Sequence, residues 1–221
     1  MSLSRKTTPS TKKTPVGVGA ESRPVTTGAV KLGGVADMRA WGTELNPDGL
    51  FDVGDLDGDG LGDLAIATHQ KDGTSPGVGQ VAVLTSSGAL SVGSGDLDLS
   101  FADLTIIGEP NNDAFGDGTV RGGDLDGDGR GDLLIAAAED DRVEERSGAI
   151  FVMTSRGSLR HMSGVVSAED ADLVITGASQ YVGEGLNALI LDDQDADGRA
   201  ELLIGFPRWN ISGYPEGAMY V

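Results

Sequence analysis

The chain contains no cysteine. Disulfides, thiol catalysis and thiolate metal ligation are therefore excluded, although the compartment stays open because many secreted bacterial proteins also lack cysteine. Histidine is nearly as scarce, with two residues, His69 and His161. They fall in separate loop contexts with no partner motif nearby and read as ordinary loop histidines. Aromatic residues make up 5% of the chain, and no long helical period runs through it. No apolar run approaches the ~18 residues of a membrane span, so the chain as given is expected to be soluble. Basic residues number 16 against 35 acidic ones, a net charge of −19. A body this acidic repels phosphates, which excludes nucleic acid as the main partner. No G-x-x-x-x-G-K-[ST] string is present to bind a nucleotide.

The chain is rich in glycine, with 35 in 221 residues. Abundant glycine with few aromatics points to an all-β fold with many turns. The acidic residues are concentrated in three strings. "GDLDGDGLGDL" spans 54–64, "GDLDGDGRGDL" spans 123–133, and a looser "DDQDADGRAEL" spans 192–202. Carboxylates crowded this closely repel one another and resist burial, so a cation is needed to offset them. The donors are all hard oxygens, which suits Ca²⁺ or Mg²⁺ and not zinc or copper. The spacing D-x-D-x-D-G-x-x-[DE] offers side-chain oxygens at positions 1, 3, 5 and 9 and a carbonyl at position 7. The glycine at position 6 permits the tight turn. Flexible, seven-fold coordination favours Ca²⁺.

The expected ligands follow from the spacing. The first loop supplies Asp55, Asp57, Asp59, the Leu61 carbonyl and Asp63. The second supplies Asp124, Asp126, Asp128, the Arg130 carbonyl and Asp132, and the third supplies Asp193, Asp195, Asp197, the Arg199 carbonyl and Glu201. An EF-hand would need a bidentate Glu at position 12 and flanking helices. Position 12 is Ile66, Ile135 and Ile204, and the runs that follow ("LAIAT", "LLIAAA", "LLIGF") read as buried strands.

The loops recur with a period. Asp55 to Asp124 is 69 residues, and Asp124 to Asp193 is again 69. The register holds outside the loops: "GQVAVLTSSGAL" (79–90) lies over "GAIFVMTSRGSL" (148–159) and "GAMYV" (217–221), and "ADLTIIGE" (102–109) lies over "ADLVITGA" (171–178). A period of this size with several short strands per unit signals a propeller or another repeat array. Each unit reads as four strands. The first enters the acidic loop, the second leaves it, and the third ("AIFVMTS") and fourth ("DLTIIG", "DLVITG") follow. Repeats are expected at about 41–108, 109–177 and 178–221. Residues 1–24 carry a net charge of +4 and read as a disordered Ser/Thr/Pro-rich tail.

These residues resemble the FG-GAP repeat of integrin α-chain propellers and their bacterial relatives. Phe115-Gly116 stands where the family's "FG" stands, and Trp41-Gly42 is read as its first-repeat equivalent. In the third repeat "YVGEG" has shifted spacing, and the family's "GAP" is replaced by "ATH", "AAA" and "GFP". The resemblance implies a β-propeller of four-stranded antiparallel blades, with calcium in the strand-one-to-two loops. Ligand contacts are expected mostly on the opposite rim, from the two-to-three and four-to-one loops. Trp209 and Tyr214 are the candidate partner contacts there. Three blades cannot close a ring. The segment 25–34 reads as an orphan fourth strand able to close the last blade. Either two copies complete a six-bladed ring, or the chain is a fragment of a longer propeller.

The functional expectation is a non-enzymatic, extracellular or cell-surface module that binds a protein or glycan. The alternative is the propeller portion of a carbohydrate-active enzyme (polysaccharide lyase-like) or lectin. The clustered acids are accounted for by metal ligation and not by a glycosidase pair. Arg130-Gly131-Asp132 spells an adhesive tripeptide, but the metal reading commits Asp132 elsewhere. The sequon at Asn210 falls on an expected loop.

Overall fold

The computed structural model describes residues 29–30, 38–41, 45–69, 78–92, 96–98, 101–109, 113–181, 183, 186–207 and 218–220. The expected tail 1–24 lies outside them. The described chain is all-β, in several sheets that are antiparallel apart from two short parallel pairs. None of its helices is long and apolar enough to cross a membrane.

One sheet holds β3 (Leu45–Gly54), β4 (Asp63–His69), β5 (Gly79–Leu84) and β7 (Leu104–Ile107) as a meander. The next repeats that order with β8 (Phe115–Gly123), β9 (Asp132–Ala137), β10 (Ala149–Met153) and β12 (Leu173–Thr176). A third holds β13 (Asn187–Leu191), β14 (Glu201–Phe206) and β15 (Ala218–Tyr220). The first three strands of each unit are those expected from the sequence, and the acidic strings are the turns between the first and second.

Alternation explains the continuous apolar runs. In β9 every residue is buried. Leu133, Ile135 and Ala137 face β4 and β5 in one core, and Leu134 and Ala136 face Ile204 and Phe206 in another. A strand covered on both faces has no polar face to show. The sheets thus stack face to face, with β8 packed against both β3 and β13. Close approach of the first strands requires glycine. A Cβ on Gly122 would lie 1.8 Å from the Val53 carbonyl oxygen.

The structure also contains strands that the sequence did not announce. β6 (Asp96–Asp98) and β11 (Gly164–Ser167) both lie in the connection between a unit's third and fourth strands. Each leaves its own unit and adds in parallel to the outer edge of an earlier sheet. β11 pairs with β7, and β6 pairs with β2 (Met38–Trp41). β1 (Ala29–Val30) pairs antiparallel with β2 and lies inside the segment expected as a fourth strand. β2, however, is the strand that takes its parallel neighbour as β7 does. Its sequence agrees: "ADMRAWG" (36–42) lies over "ADLTIIG" (102–108). Trp41 therefore ends a fourth strand and corresponds to Ile107. The assignment of Trp41-Gly42 as the first "FG" is corrected accordingly.

Candidate metal centre

Each acidic turn joins a first strand to a second and is shaped by its own carboxylates. Asp55 accepts from the backbone N–H groups of Gly58 (2.7 Å), Asp59 (3.1 Å) and Gly60 (2.7 Å). Asp124 repeats this with Gly127, Asp128 and Gly129, and Asp193 with Asp197 and Gly198. The position-6 glycines Gly60, Gly129 and Gly198 have φ of +87°, +83° and +90°, where a side chain would clash with the backbone. Gly58 and Gly127 are also left-handed, whereas the third loop places Ala196 there at φ +65°. That loop carries strain of about 1 kcal/mol that its siblings avoid.

Three carboxylate trios converge. Asp55, Asp57 and Asp63 each place an oxygen within 4.8 Å of the others, as do Asp124, Asp126 and Asp132, and Asp193, Asp195 and Asp197. The trios recur at equivalent places, but the third has a different composition, with Asp197 where the others use the position-9 acid. Glu201 keeps the bond common to all three position-9 acids, accepting from the Gln194 N–H at 2.8 Å as Asp63 does from Leu56 and Asp132 from Leu125. The fifth-position acids of the first two loops reach sideways. Asp59 accepts from the Ser86 hydroxyl and Asp128 from the Ser155 hydroxyl, both at 2.7 Å. Leu61, Arg130 and Arg199 each donate an N–H to the acid two residues before.

The electrostatics fit a bound cation. Asp63 and Asp132 are almost fully buried. Burial pushes both carboxyls above the ordinary range, against N–H donors from Ser86 and Leu56 in one case and from Ser155 and Leu125 in the other. Burial acts in the same direction on Asp128. There the Ser155 hydroxyl, the Arg130 N–H and the Arg156 and Arg130 charges win, and the carboxyl is held low. A divalent ion among the trio would reverse the penalty on the buried acids. All the donors are oxygens, and acceptor capacity remains on these carboxylates beyond the N–H bonds they already take.

In the first two units the turn after the third strand supports the loop, a role the sequence reading missed. Ser86 N–H and Ser155 N–H each donate to the buried position-9 acid at 2.8 Å. Ser87 also donates to Asp57, where the next unit places Arg156, 3.3 Å from Asp126. The supporting turn is itself tied down by the acid of the "ADL" string. Asp103 accepts from Thr85 and Ala89, and Asp172 from Thr154 and Ser158. The signal was visible as a recurring "ADL" and "TS-x-G", but without a sheet to place them the two strings had no reason to meet.

The remaining candidates are placed as follows. Asp132 is fully buried, so Arg130-Gly131-Asp132 cannot present a free aspartate. His161 accepts from Arg160 Nε at 3.1 Å, and His69 ends β4. Phe115 is buried edge-on against Phe151, with centroids 5.3 Å apart. Trp209 and Tyr214 lie outside the described residues.

At the far end of the strands from the metal loops, Asp113 is buried beside Glu109, Asp140 and Asp141. Arg142 binds Glu109 at 2.6 Å and Asp140 at 2.9 Å, and the Asp113 Oδ1 has no partner. Burial first, then the neighbouring acids, push the Asp113 carboxyl up to about 7 from 3.8, with Arg142 opposing. Between those values the folded chain holds a proton that the unfolded chain has released. Its contribution to stability therefore falls as pH rises through that window and stays low above it. Asp113→Asn is expected to leave stability near pH 4 almost unchanged and to raise it at pH 8 by on the order of 2 kcal/mol. Urea denaturation at both pH values, in constant excess calcium, checks this.

Two stretches, residues 50–84 and 115–153, match the FG-GAP repeat family. They begin in the first strands β3 and β8, run through an acidic loop and end with the third strands. With the same acidic loop and strand order in both, these two stretches of the chain are FG-GAP repeats.

Proposed function

We propose that the chain is a non-enzymatic, calcium-binding β-propeller module that presents a loop rim to a protein or glycan in an extracellular or cell-surface setting. The observation that carries this is the recurrence of a carboxylate trio, with oxygens within 4.8 Å, in three hairpin turns. Each unit would hold one Ca²⁺ through the acids of its turn, the ion fixing the turn between the first and second strands. Extracellular modules of this kind bind calcium at ~10⁻⁴ to 10⁻³ M, which suits a calcium-rich exterior.

The ring would be completed by two copies. The third sheet exposes apolar residues on the face turned away from the second, with Leu189 and Met219 at 43% and 70% exposure. Leu50 and Leu61 are exposed at the other end of the stack. Such surfaces favour association.

Calorimetric titration is expected to give three Ca²⁺ per chain, and two for the Asp124→Asn/Asp126→Asn variant. A stoichiometry near zero would overturn the metal reading. Turnover of polysaccharide by the purified chain would favour the carbohydrate-active alternative.

A further inference from the structure

The parallel strands β6 and β11 follow one rule. In one, Thr105, Ile106 and Ile107 of β7 face Val165, Val166 and Ser167. In the other, Arg39, Ala40 and Trp41 of β2 face Asp96, Leu97 and Asp98. Residues 95–108 lie over 164–177 without a gap, and 36–42 lie over 102–108. In those numbers the two pairings have the same register. Each unit thus lends a short strand, eight or nine residues before its own fourth strand, to the fourth strand of the unit before it.

β12 is the fourth strand left without such a neighbour among the described residues. The consequence shows in its side chains. Leu104 of β7 is 1% exposed, with Val166 of β11 against the same core, whereas its equivalent Leu173 is 53% exposed. β15 likewise pairs only with β14, so the third sheet lacks a fourth strand among the described residues. The N-terminal arm matches both vacancies in sequence. β2 is a fourth strand, and nine residues before Met38 stands Ala29, the first residue of β1, where Gly164 and Gly95 stand before their own fourth strands.

We propose that the arm of a second copy fills both edges: its β2 completes the sheet of β13, β14 and β15, and its β1 adds in parallel to the outer edge of β12. This rests on the two-copy reading above and specifies the contact. β1 would exchange its antiparallel pairing with β2 for the lent position that β6 and β11 occupy. Charge favours the exchange. Residues 1–42 carry seven basic residues against Glu21 and Asp37, a net of +5, which leaves −24 on the rest. Glu169, Asp170 and Asp172 are exposed beside the β12 edge. The acidic turns are chained in the same sense. Gly131 N–H donates to the Asp55 carbonyl at 2.6 Å and Ala200 N–H to the Asp124 carbonyl at 2.8 Å. Gly62, the third equivalent, is exposed and would meet Asp193 of the second copy.

The shared register places Val30 opposite Val174 and Ala29 opposite Leu173. Neighbouring strands lie ~4.8 Å apart, within reach of a disulfide, and the chain has no other thiol. Val30→Cys and Val174→Cys chains, mixed and oxidised, are expected to give a disulfide-linked species of twice 22.6 kDa. Neither chain alone should do so. Ala29→Cys with Leu173→Cys is the second pair, should Val174→Cys fold poorly. Light scattering on the unmodified chain separates the failures. A mass near twice 22.6 kDa with no link from either pair overturns the lent strand and leaves the two-copy reading standing. A folded species that stays at single mass overturns both. An internal link at monomer mass in the double variant overturns the choice of a second copy as the occupant.

Discussion

Excess chelator is expected to lower the melting temperature of this protein by on the order of 20 °C. Metal bound only to the folded chain stabilises it by about 2.7 kcal/mol per site at a hundred-fold excess over the dissociation constant. Three such sites would supply about 8 kcal/mol, comparable to the ~5–15 kcal/mol of a typical domain. The structure gives this figure a cause. Asp63 and Asp132 are buried in company with Asp57 and Asp126, and burial already pushes their carboxyls up. Without a cation the folded state holds buried acids near like charges, a penalty the unfolded chain escapes. Thermal melts by circular dichroism in calcium and in chelator make the measurement. Coincident curves would refute a structural role for the metal. Magnesium at the same concentration should restore less, because it demands a smaller octahedron and keeps its waters.

The same turns show what the sequence made legible. The acidic strings and the apolar runs after them located the hairpins because both are local patterns, and their recurrence at 69 residues set the repeat. The lent strands were not legible. Asp96–Asp98 reads "DLD" and Gly164–Ser167 reads "GVVS". They share a position and not a pattern, since each owes its conformation to the edge of another sheet. Trp41 was misplaced for a related reason: an aromatic followed by glycine was matched by type, while the neighbouring Ala36-Asp37-Met38 fixes its register as that of Ala102-Asp103-Leu104. The fifth-position acids show a third limit. Spacing placed Asp59 and Asp128 as ligands, but their carboxylates also reach Ser86 and Ser155 in turns 27 residues on, a contact only the sheet brings about.

The aromatic of the "FG" pair carries the second large effect. Phe115 opens β8 and is 2% exposed, inside the core shared by the first two sheets. Its ring stands edge-on to Phe151 at an interplanar angle of 78°, and the Arg142 guanidinium lies 4.8 Å from the far partner's centroid. The backbone around it is close-fitting. A Cβ on Gly79 would lie 2.0 Å from the Phe115 carbonyl oxygen, and one on Gly108 would lie 2.6 Å from the Phe115 Cβ. Neither neighbour can move in to fill a void, because Gly79 is held in β5 and Gly108 by its N–H bond to the Gly79 carbonyl. Phe115→Ala should therefore leave most of its cavity open and cost about 3–5 kcal/mol, the range for burying and then deleting a large aromatic. Phe101, 66% exposed in the preceding repeat, is the control and should cost less than about 1 kcal/mol when changed to Ala. Urea unfolding in constant calcium separates the two. Equal losses at the two positions would mean that the core between the first two sheets had been misjudged.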